Sequence, residues 1–193
     1  DPVASLDPRM TAGDIIAEPL WTFYPNMDRM QVDERTRGMM KMVGLLPNQI
    51  NRYPHEFSGG QCQRIGIARA LVLNPKLVIC DEPVSALDVS IQSQILILLR
   101  KLQQKHHLSY LFISHDLAVV RLLADRLMVM KSGRVVEEGL TDQVLDDPQR
   151  LPVVVESAGI GQQFPQYVLA EMSERCVSEV VLQRQRLDQI LVQ

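Results

Sequence analysis

Two short apolar runs, each followed by polar residues and then by a helical pattern, constrain the fold of this chain most strongly. Residues 77–80 lead into Asp81-Glu82-Pro83, and residues 110–113 lead into Ser114-His115-Asp116. Between them, over residues 89–104, apolar side chains recur at helical spacing. Strands that alternate with helices predict an α/β fold, and a wholly apolar strand predicts burial on both faces of a parallel sheet. In such a sheet the ligand lies at the carboxyl ends of the strands.

The flanking segments complete this prediction. Residues 1–20 contain Pro2, Pro8 and Pro19, which favours a loop that enters a short helix. Residues 32–43 predict a surface helix that ends near Gly44. Residues 127–136 predict a hairpin across Lys131-Ser132-Gly133-Arg134. Beyond Pro152 a stripe of apolar residues is compatible with a final amphipathic helix; it consists of Met172, Cys176, Val180, Leu187, Ile190 and Leu191.

Composition limits the classes of function. The chain has 193 residues, enough for one domain, and its net charge of -3 disfavours a nucleic-acid partner held by bulk attraction. Its three cysteines stand far apart with no CxxC pair, which fits a reducing compartment. No apolar run is long enough to cross a bilayer, so we expect any membrane association to go through a partner protein.

A glycine turn, Ser58-Gly59-Gly60-Gln61, opens the helical pattern of residues 61–72. The free amides and positive dipole end of a helix start attract an anion such as a phosphate. The alternative is an ordinary capped turn with Ser58 as the N-cap. Arg64 and Arg69, which follow, are interpreted as solvated helix charges or ion-pair partners.

The acid pair and the histidine at the strand ends are candidates for chemistry. Asp81 suits coordination of Mg²⁺, and Glu82 can orient and deprotonate an attacking water. His115 can donate a hydrogen bond to a terminal phosphate. The alternatives are a solvated acid pair at a turn, and a structural histidine that caps the helix beginning at Asp116.

Taken together, four motifs in one order resemble those of the ATP-binding cassette (ABC) ATPases. The signature motif is similar to Phe57-Ser-Gly-Gly-Gln61, Walker B to Leu77-Val-Ile-Cys-Asp81-Glu82-Pro83, the D-loop to Ser85-Ala-Leu-Asp88 and the H-loop to Ser114-His115-Asp116. Residues 50–70 and 1–10 resemble the ATP-binding subunits of oligopeptide and dipeptide importers in particular.

This resemblance implies a fold and a set of roles. The fold is part of a P-loop NTPase domain over residues 1–150, with parallel core strands, a helical subdomain over about residues 14–57 and a C-terminal hairpin; residues 151–193 are an unassigned, possibly helical tail. Glu82 is implied as general base, Asp81 as Mg²⁺ ligand, His115 as sensor of the γ-phosphate and Asp88 as a contact across a dimer interface. The residues implied to bind ATP held by a second subunit are Ser58, Gly59, Gly60 and Gln61.

The resemblance also implies cofactors and partners. The cofactors are ATP and Mg²⁺, and the partners are a second ABC ATPase subunit in a head-to-tail dimer, the membrane-spanning permease subunits and, indirectly, a solute-binding protein. The implied location is peripheral, at the cytoplasmic face of the inner membrane. No nucleic acid is expected.

One family element is missing, which leaves alternatives open. No GxxxxGK[ST] loop, the family's Walker A motif, occurs in these 193 residues, and the Q-loop glutamine is absent too. We therefore expect part of an ATPase domain that binds ATP weakly or not at all by itself. The first alternative is a non-catalytic fragment that serves as an interaction or dimerisation module. The second, an ABC protein of DNA repair or translation, is disfavoured by the acidic composition and the importer-like residues around Ser58.

Overall fold

The computed structural model describes residues 4–131 and 133–146, together with the backbone alone of residues 167–172. The elements along the chain are α1 Ala12–Phe23, α2 Arg29–Met42, short 3-10 turns at Pro47–Gln49 and Pro54–Glu56, α3 Gly59–Leu71, β1 Leu77–Asp81, α4 Val89–His106, β2 Ser109–Ser114, α5 Leu117–Leu123, β3 Arg126–Lys131, β4 Arg134–Leu140, α6 Thr141–Asp146 and β5 Tyr167–Met172.

The strands form one sheet in the order β1-β2-β5-β3-β4. β1 and β2 are parallel, with Leu77 opposite Ser109 and Asp81 opposite Ile113. β5 is antiparallel to both β2 and β3, so β3 runs in the same direction as β2. β3 and β4 form the predicted antiparallel hairpin. The three strands linked by helices, β1, β2 and β3, therefore share one direction, and the α/β prediction is confirmed.

Helices α1, α2 and α3 precede the first strand in the sequence and pack on one another. Thr11 caps α1 by accepting a hydrogen bond from the amide of Asp14. The predicted short helix is present as α1, and it continues through Pro19 to Phe23 although a proline inside a helix removes one hydrogen bond. Burial explains why the helix tolerates Pro19, because Ile15, Ile16 and Leu20 are at most 1% exposed and their packing outweighs the missing hydrogen bond.

β1 is less buried than its apolar sequence predicts. Leu77 is 50% exposed and Cys80 is the one buried residue of the strand. Within the described residues β1 is the edge of the sheet, and a cavity of about 280 Å³ lies between it and α3. The prediction of burial on both faces is therefore wrong for β1. It fits β2 better, where Tyr110 and Phe112 are each 1% exposed.

The tail also departs from the sequence prediction. Residues Tyr167–Met172 form a strand, so the helical interpretation is wrong at Met172. A strand forms here because β2 and β3 offer unpaired edges on both sides of it. The other residues of the predicted stripe, from Cys176 to Leu191, lie outside the described residues.

Candidate functional site

Glu82 and His115 meet at the carboxyl ends of β1 and β2. The Nδ1 atom of His115 donates a hydrogen bond to Oε1 of Glu82 over 2.9 Å. Both side chains reach solvent, with exposed fractions of 57% for His115 and 34% for Glu82. The parallel ladder brings them together, since the amide of Glu82 donates to the carbonyl of Ile113 and extends β1 by one residue beside β2.

Glu82 adopts a backbone conformation that glutamate rarely takes. Its φ is 44°, in the left-handed region. The turn that follows is closed by Ser85, whose amide and hydroxyl both donate to the carbonyl of Glu82 at 3.3 and 3.1 Å. This turn directs the carboxylate towards His115 instead of letting it continue the alternation of the strand. Such strain, which costs of order 1–3 kcal/mol, is common at functional sites.

Asp81 ends β1 with an exposed side chain. A carboxylate is the ligand type that Mg²⁺ prefers, and Mg²⁺ usually takes one or two carboxylates together with water and phosphate oxygens. Among the described residues no group of three or more histidine, cysteine, aspartate or glutamate side chains is arranged to hold a metal ion. Asp81 therefore fits an ion that arrives with a nucleotide and does not fit a closed protein site.

Two side chains of the strands that end at the site, Cys80 of β1 and Tyr110 of β2, have pKa values that burial raises. Cys80 is the buried residue of β1, and burial raises the pKa of its thiol from 9.0 to about 12. The hydroxyl of Tyr110 donates to the carbonyl of Leu99 at 3.1 Å, and burial, with the nearby Cys80, raises its pKa as well. Both groups stay protonated at neutral pH, so they support the strands and do not contribute charge to the site.

The glycine turn begins at the surface with Ser58, becomes buried at Gly60, and caps its own helix. The hydroxyl of Ser58 accepts a hydrogen bond from the amide of Gln61 at 3.4 Å, and the side chain of Gln61 accepts one from the amide of Ser58 at 2.9 Å. This is a capping box, so the structural interpretation of Ser58 is correct. Among the described residues none accepts a hydrogen bond from the amide of Gly59, which is partly exposed, whereas Gly60 is buried.

The turn packs against the start of α4. A Cβ atom on Gly60 would lie 2.5 Å from Cγ2 of Ile91, and one on Gly59 would lie 3.7 Å from Cδ2 of Leu87. Gly60 is therefore required by a close helix contact. Asp88, between these two partners, is the N-cap of α4 and accepts from the amide of Ile91 at 3.1 Å. The signature-like and D-loop-like residues thus form one adjoining surface.

Two residues take roles that sequence reasoning did not predict. The guanidinium of Arg64 donates to the carbonyl of Val43 at 2.6 Å, which ties α3 to the end of α2 instead of leaving a solvated charge. Asp116, not His115, caps α5 by accepting from the amides of Ala118 and Val119. His115 is therefore free of a capping role. The spacing of 21 residues between Arg64 and Val43 gives no local signal for their contact.

The described residues thus fall into two groups. One is the Glu82–His115 pair with Asp81, and the other is the glycine turn with Asp88. No hydrogen bond or ion pair among the described residues joins the turn to Glu82 or to His115. Within the same part of the chain, no helix combines the length and the apolar character that crossing a lipid bilayer requires.

Comparison with known proteins gives a consistent result. Residues 3–85 match the family model described as "ABC transporter". The chain is 66% identical over 148 residues to the oligopeptide transport ATP-binding protein OppF of Escherichia coli, covering 77% of this chain and 44% of that protein. It is 53% identical over 150 residues to the peptidoglycan transport ATP-binding protein YejF of Agrobacterium fabrum, covering 78% and 28%. The chain thus spans less than half the length of these relatives.

Solved structures agree with the sequence relatives. A dimeric, post-hydrolysis structure of the ATP-binding cassette MJ0796 bound to ADP and Pi superposes with a TM-score of 0.61 at 34% identity, covering 70% of this chain and 59% of that one. The cbiO1 protein of Clostridium perfringens, part of the transporter complex cbiONQ, gives 0.66 at 27% identity, covering 80% and 60%. The resemblance found in the motifs is therefore confirmed. The chain contains part of an ABC ATPase domain and belongs to the ABC transporter family of ATP-binding proteins.

Proposed function

We propose that this chain is the downstream part of the ATP-hydrolysing subunit of a peptide importer. The observation that carries the proposal is the contact between Glu82 and His115 at the carboxyl ends of two parallel strands, in a chain 66% identical to an oligopeptide transport ATP-binding protein. A carboxylate and an imidazole 2.9 Å apart at this edge fit the base and the phosphate contact of a phosphoanhydride hydrolase.

Each side chain has a chemical task in this proposal. Glu82 orients a water molecule and accepts its proton as the water attacks the terminal phosphate. His115 already donates from Nδ1 to Glu82, so its Nε2 atom donates to the phosphate only when the ring carries its second proton. Asp81 holds Mg²⁺ together with the nucleotide, and the ion neutralises charge on the phosphates.

The glycine turn serves a nucleotide held mainly by a second ATPase subunit. The partly exposed amide of Gly59 suits a phosphate, and the turn lies next to Asp88, as an interface residue requires. The ATP-binding cassette MJ0796, which superposes on this chain, is described as a dimer bound to ADP and Pi. We place Ser58, Gly59, Gly60, Gln61 and Asp88 in the corresponding interface.

The helical part offers a surface to membrane-spanning partners. Trp21, Phe23 and Tyr24, at the end of α1, are between 46% and 59% exposed. Aromatic side chains are enriched at protein interfaces, so this patch fits contact with a permease subunit. The chain would then lie at the cytoplasmic face of the membrane, and a solute-binding protein would act through the permease. The net charge of -3 gives no support for a nucleic-acid partner.

The role of Glu82 is tested by mutation in an ATPase domain that includes a GxxxxGK[ST] loop as well as this sequence. In such a protein we expect Glu82→Gln to abolish ATP hydrolysis while ATP binding and dimerisation persist, because the amide cannot accept the proton of water. Glu34→Gln on the exposed face of α2 is the matched control and should keep full turnover. Undiminished turnover of Glu82→Gln would remove Glu82 from the proposed role.

The non-catalytic alternative concerns these 193 residues by themselves, in which no GxxxxGK[ST] loop occurs. Titration of ATP and Mg²⁺ into the chain by itself should give no saturable binding at millimolar nucleotide, because the amides and lysine of that loop hold the β- and γ-phosphates. Tight binding would show that the chain needs no such loop. Persistent inactivity after a GxxxxGK[ST]-containing segment is supplied would instead favour the interaction module.

A further inference from the structure

A second cavity lies at the amino ends of β1 and β2, away from the candidate site. Its volume is about 360 Å³, and it is lined by the last residues of three helices, Met42 of α2, Leu71 of α3 and His106 of α4. We call it the basal cavity. Lys76, which also lines it, directly precedes β1, whereas Glu82 follows the other end of that strand. An extended strand of this length separates the two residues by about 20 Å, so the basal cavity is separate from the candidate site.

The floor of the basal cavity is apolar. Met39, Leu71 and Leu108 are at most 5% exposed, and Met42 packs against the same core. Pockets that hold small organic molecules have volumes of roughly 300–1,000 Å³ and mostly apolar walls. The basal cavity falls at the lower end of this range, so its floor suits the apolar body of a small ligand.

The rim of the basal cavity is polar and positively charged. Asn74, Lys76, His106 and His107 line the cavity and are exposed. Among the described residues that line it there is no aspartate and no glutamate. The lysine ammonium carries a full positive charge, and the asparagine amide and the imidazole N–H groups are hydrogen-bond donors. The rim therefore suits an anionic group at one end of the ligand.

The negative ends of the helix dipoles do not cancel this charge. Basic residues stand in the last turns of the three helices, Lys41 in α2, Arg69 in α3 and Lys105 in α4, and they offset the partial charge of the unpaired carbonyls. Lys76 lies outside these helices, and among the described residues no ion pair involves it. Its ammonium group can therefore pair with a ligand.

The backbone of the rim adopts an uncommon conformation at two positions. Asn74 has a φ of 53° and His107 a φ of 52°, both in the left-handed region. Among the described residues that are not glycine, the one other positive φ belongs to Glu82 of the candidate site. Residues held in this region cluster at catalytic and ligand-binding sites, which favours a ligand-binding role for the basal cavity.

Two backbone hydrogen bonds fix the loops that carry the rim. The amide of Asn74 donates to the carbonyl of Leu71 at 2.9 Å and closes the turn after α3. The amide of Ser109 donates to the carbonyl of Lys76 at 2.9 Å and joins the loop before β1 to the start of β2. The rim is therefore formed before a ligand arrives, and such preorganisation lowers the entropy lost on binding.

We propose that the basal cavity binds a small organic anion, one with an apolar body and a single carboxylate, sulfonate or phosphate group. Lys76 pairs with the anionic group, and Asn74 and His106 donate hydrogen bonds to it. The apolar body lies on Met39 and Leu108. This ligand is distinct from the nucleotide, so the inference goes beyond the proposed function and does not depend on it.

The test uses the full chain and two matched fluorescent probes. The first is 8-anilinonaphthalene-1-sulfonate, and the second is N-phenyl-1-naphthylamine, which has the same aromatic body without the sulfonate. Lys76→Met removes the charge and keeps an apolar side chain of similar length. We expect it to weaken binding of the sulfonate by about fivefold and binding of the uncharged probe by less than about twofold, as loss of one partly exposed ion pair predicts.

Two further variants sharpen this comparison. Met42→Asp places a carboxylate in the cavity and should weaken binding of the sulfonate by about fivefold or more, because like charges repel. Lys101→Met, on an exposed part of α4 outside the cavity, is the matched control and should leave the affinity for both probes unchanged. Fluorescence titration measures all four proteins under one buffer condition.

The histidine rings report where the probe binds. The chain has four histidines, His55, His106, His107 and His115, and two of them line the basal cavity. In proton NMR spectra we expect the sulfonate to shift the ring signals of His106 and His107 and to leave the other two unchanged. The variants His106→Gln and His107→Gln assign the two signals.

Four results would overturn the inference: no saturable binding of the sulfonate by the parent chain, equal affinity of Lys76→Met and Lys101→Met, an equal loss for both probes in Lys76→Met, or no shift at His106 and His107. The proposed function is judged separately, because neither assay involves a nucleotide. Failure of the anion site leaves the role of Glu82 intact, and full turnover of Glu82→Gln would leave the anion site intact.

Discussion

Gly60 offers the sharpest test of how the glycine turn is held. It is buried at the second position of α3, and a Cβ atom there would lie 2.5 Å from Cγ2 of Ile91. Ile91 is β-branched and has few rotamers available within α4, so it cannot turn away at low cost. Overpacking of this kind costs about 1–3 kcal/mol, and the better helix propensity of alanine offsets about 0.5–1 kcal/mol. We expect Gly60→Ala to destabilise the chain by about 1–2 kcal/mol.

The neighbouring glycine provides the control. A Cβ atom on Gly59 would lie 3.7 Å from Leu87, an ordinary contact, so Gly59→Ala should change stability by no more than about 0.5 kcal/mol. Ile91→Ala removes the obstructing methyl groups. In that background Gly60→Ala should be neutral or slightly stabilising, which gives a coupling energy of about 1–2 kcal/mol between the two positions.

The measurement is urea unfolding of the full chain followed by far-ultraviolet circular dichroism, with the free energy of unfolding taken from the midpoint and slope. All four proteins of the Gly60–Ile91 cycle are compared under one buffer condition. The reasoning would be refuted if Gly60→Ala were neutral in the parent chain, or if it cost the same amount with Ile91 and with Ala at position 91.

Three more outcomes follow from single contacts. Burial raises the pKa of Cys80 from 9.0 to about 12, so its contribution to stability is complete below pH 9 and falls as the pH rises towards 12. Between pH 9 and 10 the free energy of unfolding of the parent chain should therefore fall by up to about 1.4 kcal/mol per pH unit more than that of Cys80→Ala. Urea unfolding at several pH values measures this difference. Arg64→Met should cost about 1–3 kcal/mol by leaving the carbonyl of Val43 without its donor, Arg64→Lys should cost less, and Arg29→Met on exposed α2 should be neutral in the same assay. Since the φ of Glu82 is 44°, Glu82→Gly should melt higher than Glu82→Ala by the equivalent of about 1 kcal/mol, and equal melting temperatures would contradict the assigned backbone conformation.

The meeting of Glu82 with His115 follows from sequence by a short chain of reasoning. Two apolar runs separated by a helix of ordinary length predict neighbouring parallel strands, and the residues after such strands emerge at the same edge. The structure places Glu82 and His115 there, 2.9 Å apart. The positive φ of Glu82 could not be read from residue type, because glutamate gives no sign of a left-handed conformation.

Burial of a strand was harder to predict than its existence. Residues 77–80 and 110–113 are both apolar, yet β2 is interior and β1 is the edge of the described sheet. The apolar run reports only that a strand can be buried, and its neighbours decide whether it is. The same limit applies to β5, whose strand conformation comes from the open edges of β2 and β3 and not from its own pattern.

The two interpretations of the glycine turn, a capped helix start and an anion site, are compatible in this structure. The capping box uses the hydroxyl and amide of Ser58 with the amide and side chain of Gln61. It does not use the amide of Gly59, since no described residue accepts from it. If the helix start had no cap of its own, a bound anion would also be needed to hold the turn in its conformation. Here the turn is held before any anion arrives, so an incoming phosphate meets a donor that is already oriented.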